Sequence, residues 1–316
     1  MTEAPWRRLN HGYMSATIAS NREPGDVRMM RACLKHWPFG RGKRVLMSLF
    51  APRLKNREFL MEIEPGIQVP ANLDDYVLYG CFVHGYDKEP AVQLSRAIIR
   101  KGDTIVDVGA NLGLWVMGAA RKAGFEGSVH AFEPVPENLV QLVANLTMNG
   151  FDLDQVKCQQ LSLSDRSGRA TFYAATNGNS GMGALASREG VNRPIETTLV
   201  TLDSYCEQHS IRHVDFVKID VEGAELLVLR GAQRLLAAAE APAIMFEVDE
   251  TLAASFASSS FAVKALLDNY GYDIFRYQGK RLERVEVNQD HQHEDLFAFK
   301  PYHFERHPVL NDLRGK

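Results

Sequence analysis

From residue 101 onward, the sequence alternates short apolar runs with longer stretches of helical periodicity. This alternation is typical of β-α-β units, in which helices join parallel strands and cover both faces of a sheet. The apolar runs lie at residues 104–108, 128–132, 156–160, 214–219 and 243–248. The pattern predicts an α/β fold built on a mainly parallel sheet.

Two further runs near the end of the chain do not follow this alternation. Residues 272–277 and 295–299 are typical of strands, and the short polar stretch between them has no helical pattern. A connection too short for a crossover helix indicates an antiparallel pair. We therefore expect seven strands with an antiparallel terminal hairpin, and two more strands, at 170–175 and 197–201, around a polar loop.

Composition excludes several classes of protein. Hydrophobic residues make up 45% and charged residues 24% of the 316 residues, as in ordinary globular domains. The best apolar run, residues 45–51, is far shorter than the roughly 20 residues that span a bilayer. The four cysteines form no C-x-x-C pair, which favours reduced thiols and a cytoplasmic protein without a secretory signal.

Charge is unevenly distributed along the chain. Residues 1–60 hold 12 Lys and Arg against 4 Asp and Glu, whereas the remainder holds 24 against 35. This basic arm is either a solvated segment or a surface that meets an anionic partner. The sequence leaves both interpretations open.

A glycine-containing motif follows the first predicted strand. It begins at Asp107 and continues through Gly109, Asn111 and Gly113 into a predicted helix. Glycines at such a turn let a ligand approach the backbone. The G-x-G-x-x-G spacing of dinucleotide sites is not met, and Asp107 would repel a pyrophosphate. The cationic, phosphate-free S-adenosylmethionine suits this acidic turn better.

Two later positions extend the predicted cofactor site. Glu133 ends the second strand, where a carboxylate can accept hydrogen bonds from both hydroxyls of an adenosyl ribose. Ser162 leaves the third strand where an adenine would lie. We predict that both contact the cofactor.

A second cluster of charged residues surrounds the end of the fourth core strand. It contains Lys218, Asp220, Glu222 and Glu225. Open α/β sheets bind ligands at this edge, so Asp220 or Glu222 could act as general base, with Lys218 orienting the carboxylate or the substrate. Asp220 is also placed beside the cofactor. Glu222 and Glu225 would equally suit the first turn of a helix starting near Glu222.

Taken together, these motifs resemble the FkbM-type S-adenosylmethionine-dependent methyltransferases. The similarity rests on four spans: residues 107–113, 132–138, 201–203 and 218–231. The resemblance implies a class I, Rossmann-like methyltransferase domain, which we place at residues 91–316. It says little about residues 1–60, and we assign residues 1–90 to an N-terminal extension that caps the substrate side. It also implies S-adenosylmethionine as cofactor and O-methylation of a hydroxyl on a sugar, glycan or secondary metabolite.

Two other functions remain as alternatives. A nucleic-acid methyltransferase could use the basic arm, but the pI near 6.4 and the acids after the fourth core strand disfavour nucleic acid as a partner. A non-catalytic adenosyl-binding module would need no polar acceptor pocket. No metal site is expected, since no Cys/His ligand spacing occurs.

Residues 177–190, rich in Gly, Ser and Asn, are predicted to form a lid over the site.

Overall fold

The computed structural model follows the predicted alternation of strands and helices from residue 101 onward. It describes residues 23–36, 47, 49, 50, 53, 54, 56–174, 180, 185, 193–289 and 293–314.

The elements that precede the first core strand form an N-terminal layer. They are α1 (Gly25–His36), β1 (Glu58–Glu64), β2 (Ile67–Asn72), α2 (Tyr76–His84) and α3 (Pro90–Ile98). A single 3-10 turn, Tyr86–Lys88, joins α2 to α3. Strands β1 and β2 pair as an antiparallel hairpin.

The α/β part contains the remaining elements. Its first half comprises β3 (Thr104–Val108), α4 (Leu114–Ala123), β4 (Ser128–Phe132), α5 (Pro136–Met148), β5 (Val156–Gln159), β6 (Ser162–Leu163), β7 (Gly168–Ala174), β8 (Arg193–Val200) and α6 (Leu202–Gln208). The second half comprises β9 (Phe216–Ile219), α7 (Glu225–Arg230), α8 (Gln233–Ala237), β10 (Ala243–Asp249), α9 (Glu250–Ala254), α10 (Ser260–Asn269), β11 (Asp273–Tyr277), β12 (Leu282–Arg284), β13 (His293–Phe299), α11 (Pro301–Arg306) and α12 (Pro308–Arg314).

The central sheet has the strand order β12-β11-β13-β10-β9-β3-β4-β5. The five strands from β10 to β5 run parallel. β13 pairs with β10 in antiparallel fashion, and β11 pairs with β13 in antiparallel fashion, so that β11 runs in the direction of the five parallel strands. The class I methyltransferase fold is thus confirmed, including its antiparallel terminal pair. The short β12 is an additional edge strand, which the sequence analysis does not predict because this segment is polar.

Helix α5 shows why the local predictions succeeded. Pro136 occupies its first turn, where the missing N–H costs nothing. Leu139, Leu142, Val143 and Leu146 recur at helical spacing, and all four are buried. The helix therefore packs one apolar face against the sheet.

Of two further predictions, the first is confirmed and the second needs correction. The strands expected around residues 170–175 and 197–201 are β7 and β8, which pair with each other and, through β8, with β6 in a separate three-stranded sheet. The helix expected to start near Glu222 begins at Glu225. Glu222 instead has φ of +56°, a left-handed conformation that cannot belong to a right-handed helix.

The N-terminal layer shares a hydrophobic core with one face of the central sheet. Val27, Leu34 and Phe59 are buried in the same cluster as Trp115 and Leu142. The proposed division into residues 1–90 and 91–316 stays a prediction. Among the described residues, no helix is long and apolar enough to cross a membrane.

Candidate functional site

A cavity of about 430 Å³ opens at the carboxyl ends of β3, β4, β9 and β10. Ligands of open α/β sheets bind at this edge, and the volume lies within the range of small-molecule sites. The lining includes six of the predicted cofactor and catalytic residues: Gly109, Asn111, Glu133, Ser162, Asp220 and Glu222. The other three, Asp107, Gly113 and Lys218, do not line it. The fold therefore brings most of the predicted site into one cavity.

The turn after β3 gives the cavity its floor. Gly109 has φ of +85°, and a Cβ atom added there would lie 1.9 Å from the backbone oxygen of Asp220. Gly113, with φ of +79°, precedes the first residue of α4. Only glycine at position 109 lets the end of β3 lie so close to the backbone that follows β9. The motif is therefore required for packing as well as for ligand binding.

Glu133 is fixed in place by backbone amides. Asn111 N donates to Glu133 Oε2 at 2.8 Å, and Val135 N donates to Oε1 at 2.9 Å. The side chain is buried, and this burial raises the pKa of Glu133 to about 7. A carboxylate oriented by two amides keeps further lone pairs for the two hydroxyls of a ribose.

We call the part of the cavity around Gly109, Asn111 and Glu133 the cofactor end, and the part around Asp220, Glu222 and Glu247 the acceptor end. Lys218 contacts one carboxylate on each side: Asp107, two residues before Gly109, and Asp220. Its Nζ lies 3.2 Å from Asp107 Oδ1 and 3.1 Å from Asp220 Oδ2. Asp107 is fully buried, and the side chain of Lys218 is only 9% exposed. Burial alone would lower the pKa of Lys218, but the two carboxylates outweigh it and raise that pKa. Lys218 therefore stays charged and holds Asp220 in position.

Two buried oxygens at the cofactor end have no hydrogen-bond partner among the described residues. They are Asp107 Oδ2 and Asn111 Oδ1. Buried polar atoms are normally satisfied, so such atoms beside a cavity indicate a ligand with donors. The ammonium and hydroxyl groups of S-adenosylmethionine are donors of this kind. The site thus fits this cofactor. Asn111 and Glu133 line the cavity, whereas Asp107 does not, and its contact with the cofactor stays a prediction.

The side of the cavity where the sequence predicts an adenine is mainly apolar. Leu161, Leu163, Phe132 and Phe172 line it, and such side chains suit a flat heterocycle. Ser162 also lines the cavity, but its Oγ lies 3.0 Å from Thr197 Oγ1. Its direct contact with the cofactor stays a prediction.

The loop after β9 carries the predicted catalytic acids. Asp220 and Glu222 line the cavity, whereas Glu225 does not. Glu225 Oε1 instead accepts hydrogen bonds from Val221 N and Gly223 N, at 3.2 and 3.1 Å. Glu225 therefore shapes the turn that presents the other two acids, and its burial raises its pKa to about 7.

The sequence interpretation missed several residues that line the cavity, among them Glu247 and Tyr76. Glu247 lies near the end of β10, and Tyr76 begins α2 with a largely exposed ring. Strand register could have identified Glu247, because β9 and β10 pair Ile219 with Phe246 and the next residues are Asp220 and Glu247. No comparable sequence signal marks Tyr76.

Most of the predicted lid, residues 177–190, lies outside the described residues, and so does most of the basic arm. Ser180 and Leu185 are described, and both line the cavity. Ser180 N donates to Asp75 Oδ2 at 3.0 Å, and Asn138 Nδ2 donates to Ser180 O at 3.1 Å. The lid hypothesis stays a prediction, as does the anionic partner of the arm.

Metal ligation was not expected, and the described residues contain no group of three or more His, Cys, Asp or Glu side chains that could hold a metal ion. His84, in the segment before the first core strand, is exposed and does not line the cavity.

The comparisons with known proteins agree on one family. A family model described as the methyltransferase FkbM domain matches residues 107–274. The 31-O-demethyl-FK506 methyltransferase FkbM of Streptomyces tacrolimicus is 30% identical over 220 residues, covering 60% of this chain and 80% of that protein. Methyltransferase 1 of Beauveria bassiana (strain ARSEF 2860) is 32% identical over 143 residues, covering 40% of this chain and 57% of that protein.

Among solved structures, Methyltransferase FkbM from Methylobacillus flagellatus KT is similar, with 15% sequence identity and a TM-score of 0.40. The match covers 73% of this chain and 56% of that one. The family match, which spans the cofactor motif and the acidic loop, confirms S-adenosylmethionine as the cofactor.

Proposed function

Because the chain belongs to the FkbM methyltransferase family, we propose that it transfers a methyl group from S-adenosylmethionine to a hydroxyl of a small molecule or glycan. One observation carries this proposal: three carboxylates, Asp220, Glu222 and Glu247, converge on the cavity that contains the cofactor cradle. An alcohol is a poor nucleophile, and a nearby carboxylate increases its reactivity as the new bond forms.

The name of one relative supports the choice of oxygen. The FkbM protein of Streptomyces tacrolimicus is described as acting on 31-O-demethyl-FK506, a compound named for a missing O-methyl group. We extend to this chain only the class of acceptor, a hydroxyl group. The compound itself is not proposed as the substrate.

Methyl transfer depends mainly on positioning. When bound, S-adenosylmethionine supplies the activated methyl group. The protein must hold the acceptor oxygen in line at about 3–3.5 Å from the methyl carbon. In our proposal, Asp220 and Glu222 accept hydrogen bonds from acceptor hydroxyls, and Lys218 fixes the Asp220 carboxylate.

The acidity of this end of the cavity also disfavours the two alternatives. A nucleic-acid substrate would bring phosphates close to three carboxylates, which repel them. A module that only binds an adenosyl group would have no need of convergent acids beyond the cradle.

An acceptor screen tests the proposal. Methyl-labelled S-adenosylmethionine is incubated with neutral sugars, hydroxylated macrolactones, carboxylic acids, primary amines, tRNA and duplex DNA. We expect label in hydroxyl compounds, as ethers that survive mild alkali. Label only in amines or nucleic acid, or in alkali-labile esters, would contradict O-methylation. Tight cofactor binding without any transfer would favour the binding module.

Two substitutions test the acids that the sequence identified. Asp220→Asn and Glu222→Gln should lower kcat/KM for the hydroxyl acceptor about 10²-fold, while cofactor affinity stays near normal. Glu225→Gln is the matched control, because this nearby acid does not line the cavity. Normal turnover in both variants would remove these residues from the mechanism.

A further inference from the structure

Glu247 lies beside Asp220 at the acceptor end of the cavity. Strands β9 and β10 are parallel neighbours that pair Ile219 with Phe246, so Asp220 and Glu247 are the next residues of the two strands. Side chains alternate along a strand, and equivalent positions on neighbouring strands share a face of the sheet. Asp220 and Glu247 therefore project together into the cavity, which both line.

Glu247 differs from Asp220 in its surroundings. Asp220 is 42% exposed and its carboxylate lies 3.1 Å from the ammonium of Lys218. The side chain of Glu247 is only 15% exposed. Burial, followed by the charges of Asp220 and Glu222, raises the pKa of Glu247. A carboxylate with little water around it is a stronger proton acceptor once it is ionised.

Charged groups surround Glu247 on several elements. The loop after β9 and the neighbouring strands contribute the following titratable side chains: Lys218, Asp220, Glu222, Glu225, Asp249, His293 and Asp295. Among these, His293 Nδ1 lies 3.5 Å from Glu247 Oε1. Acids outnumber bases in this group, so a cation in the cavity would favour the ionised form of Glu247.

We propose that Glu247 is a catalytic residue whose carboxylate takes the proton of the acceptor hydroxyl during methyl transfer. This assignment rests on the hydroxyl methylation proposed above and names the group that receives the proton. It differs from the sequence prediction, which gave this role to Asp220 or Glu222. Those two acids then serve to bind and orient the acceptor.

The step is balanced in atoms and electrons. A lone pair of the acceptor oxygen forms the new C–O bond, the C–S bond breaks, and its electron pair stays on sulfur. The hydroxyl proton passes to a carboxylate oxygen of Glu247, and the O–H electron pair stays on the acceptor oxygen. The exposed His293 then offers the proton a route to solvent, since it contacts both Glu247 and Asp249.

Proton release on cofactor binding tests the assignment without any acceptor. Calorimetry at pH 8 in two buffers of different ionisation enthalpy gives the number of protons released. S-adenosylmethionine should release up to about one proton from Glu247, and S-adenosylhomocysteine fewer, because only the former carries a sulfonium charge. Glu247→Gln should remove this difference between the two ligands.

Asp295→Asn is the matched control for this measurement. Asp295 pairs with Glu247 across β10 and β13, but it does not line the cavity. This variant should keep the difference in proton release. A difference that persists in Glu247→Gln, or that disappears only in Asp295→Asn, would overturn the assignment.

The pH dependence of turnover gives a second test, with the hydroxyl acceptor identified by the screen. In the wild-type protein, kcat should rise with pH as Glu247 ionises. Glu247→Gln should lower kcat about 10²-fold and abolish that rise, whereas Asp220→Asn should keep it. Glu247→Asp retains a carboxyl and should preserve both the rise and the proton release, with reduced kcat.

The two proposals fail in different ways. Methylation of hydroxyls with an unchanged pH profile in Glu247→Gln would overturn the role of Glu247 alone. Proton release that depends on Glu247, combined with methylation of amines or nucleic acid only, would overturn the hydroxyl acceptor.

Discussion

The two ends of the cavity are built on different principles. At the cofactor end, Asp107 and Glu133 are buried, and Glu133 accepts hydrogen bonds from the backbone amides of Asn111 and Val135. At the acceptor end, Asp220 and Glu247 come from separate strands and face one another's charge. The cofactor end is therefore held by backbone hydrogen bonds between two short motifs, whereas the acceptor end brings together charges through the pairing of β9 with β10.

Lys218 connects the two ends, so its removal should have the largest effect. Lys218→Met would leave the buried Asp107 without its cation, which should lower the free energy of unfolding by about 3–5 kcal/mol. The loss should be larger at pH 8 than at pH 5, because protonation of Asp107 relieves it at low pH. Urea unfolding at both pH values measures the effect.

The double variant Asp107→Asn/Lys218→Met is the control for this prediction. It removes the unpaired charge and should recover much of the lost stability, giving a measurable coupling energy. A loss below about 1 kcal/mol in the single variant is the size expected of an exposed ion pair. Such a result would mean that the two ends are independent.

The next largest effect on stability is expected at Gly109, where the turn after β3 lies close to the backbone that follows β9. Gly109→Ala adds a Cβ close to the Asp220 backbone oxygen, whereas Gly150→Ala, at a φ of +73°, meets no atom within 4 Å. Both variants should suffer the left-handed penalty of about 1–2 kcal/mol. Only Gly109→Ala should add about 1–3 kcal/mol of overpacking and weaken cofactor binding. Equal losses in the two variants would show that the contact relaxes freely.

This contrast also explains what the sequence could predict. Gly109, Asn111 and Glu133 lie in short motifs whose spacing alone implies a turn against a ligand, and the structure brings them together in the cavity. Glu247 was missed because its role depends on the pairing of β10 with β9, which a local pattern does not reveal. The helix start was misplaced for a related reason, since acids near a helix N-terminus suit either the helix or the turn before it.

Glu133 tests the cofactor end directly. Glu133→Gln replaces one acceptor oxygen by a donor, and we expect about 10–100-fold weaker binding of S-adenosylhomocysteine, or about 1.5–3 kcal/mol. Glu137→Gln is the matched control, because this exposed acid only pairs with Arg193 at the surface. Calorimetry should show unchanged affinity in the control. Unchanged affinity in Glu133→Gln, with an intact fold, would contradict the ribose contact.

The smallest change in function is expected at Glu225, which supports the acceptor end without lining it. Its Oε1 accepts both backbone hydrogen bonds, so Glu225→Gln keeps them and removes only the buried charge. The pKa of Glu225 is raised from 4.5 to about 7 in the folded protein. The folded state therefore binds more protons than the unfolded state between these pH values, and wild-type stability should fall as pH rises through that window.

In Glu225→Gln this contribution is absent, so its unfolding free energy should fall less between pH 4.5 and pH 8. The difference between the two slopes should amount to as much as about 3 kcal/mol, since one pKa unit corresponds to about 1.4 kcal/mol. Turnover should stay within about twofold of wild type, because Asp220 and Glu222 keep their supporting turn. Guanidinium unfolding across this pH range, with kcat measured at pH 7.5, checks both expectations. Parallel pH curves, or a large loss of turnover, would instead place Glu225 among the residues that act on the acceptor.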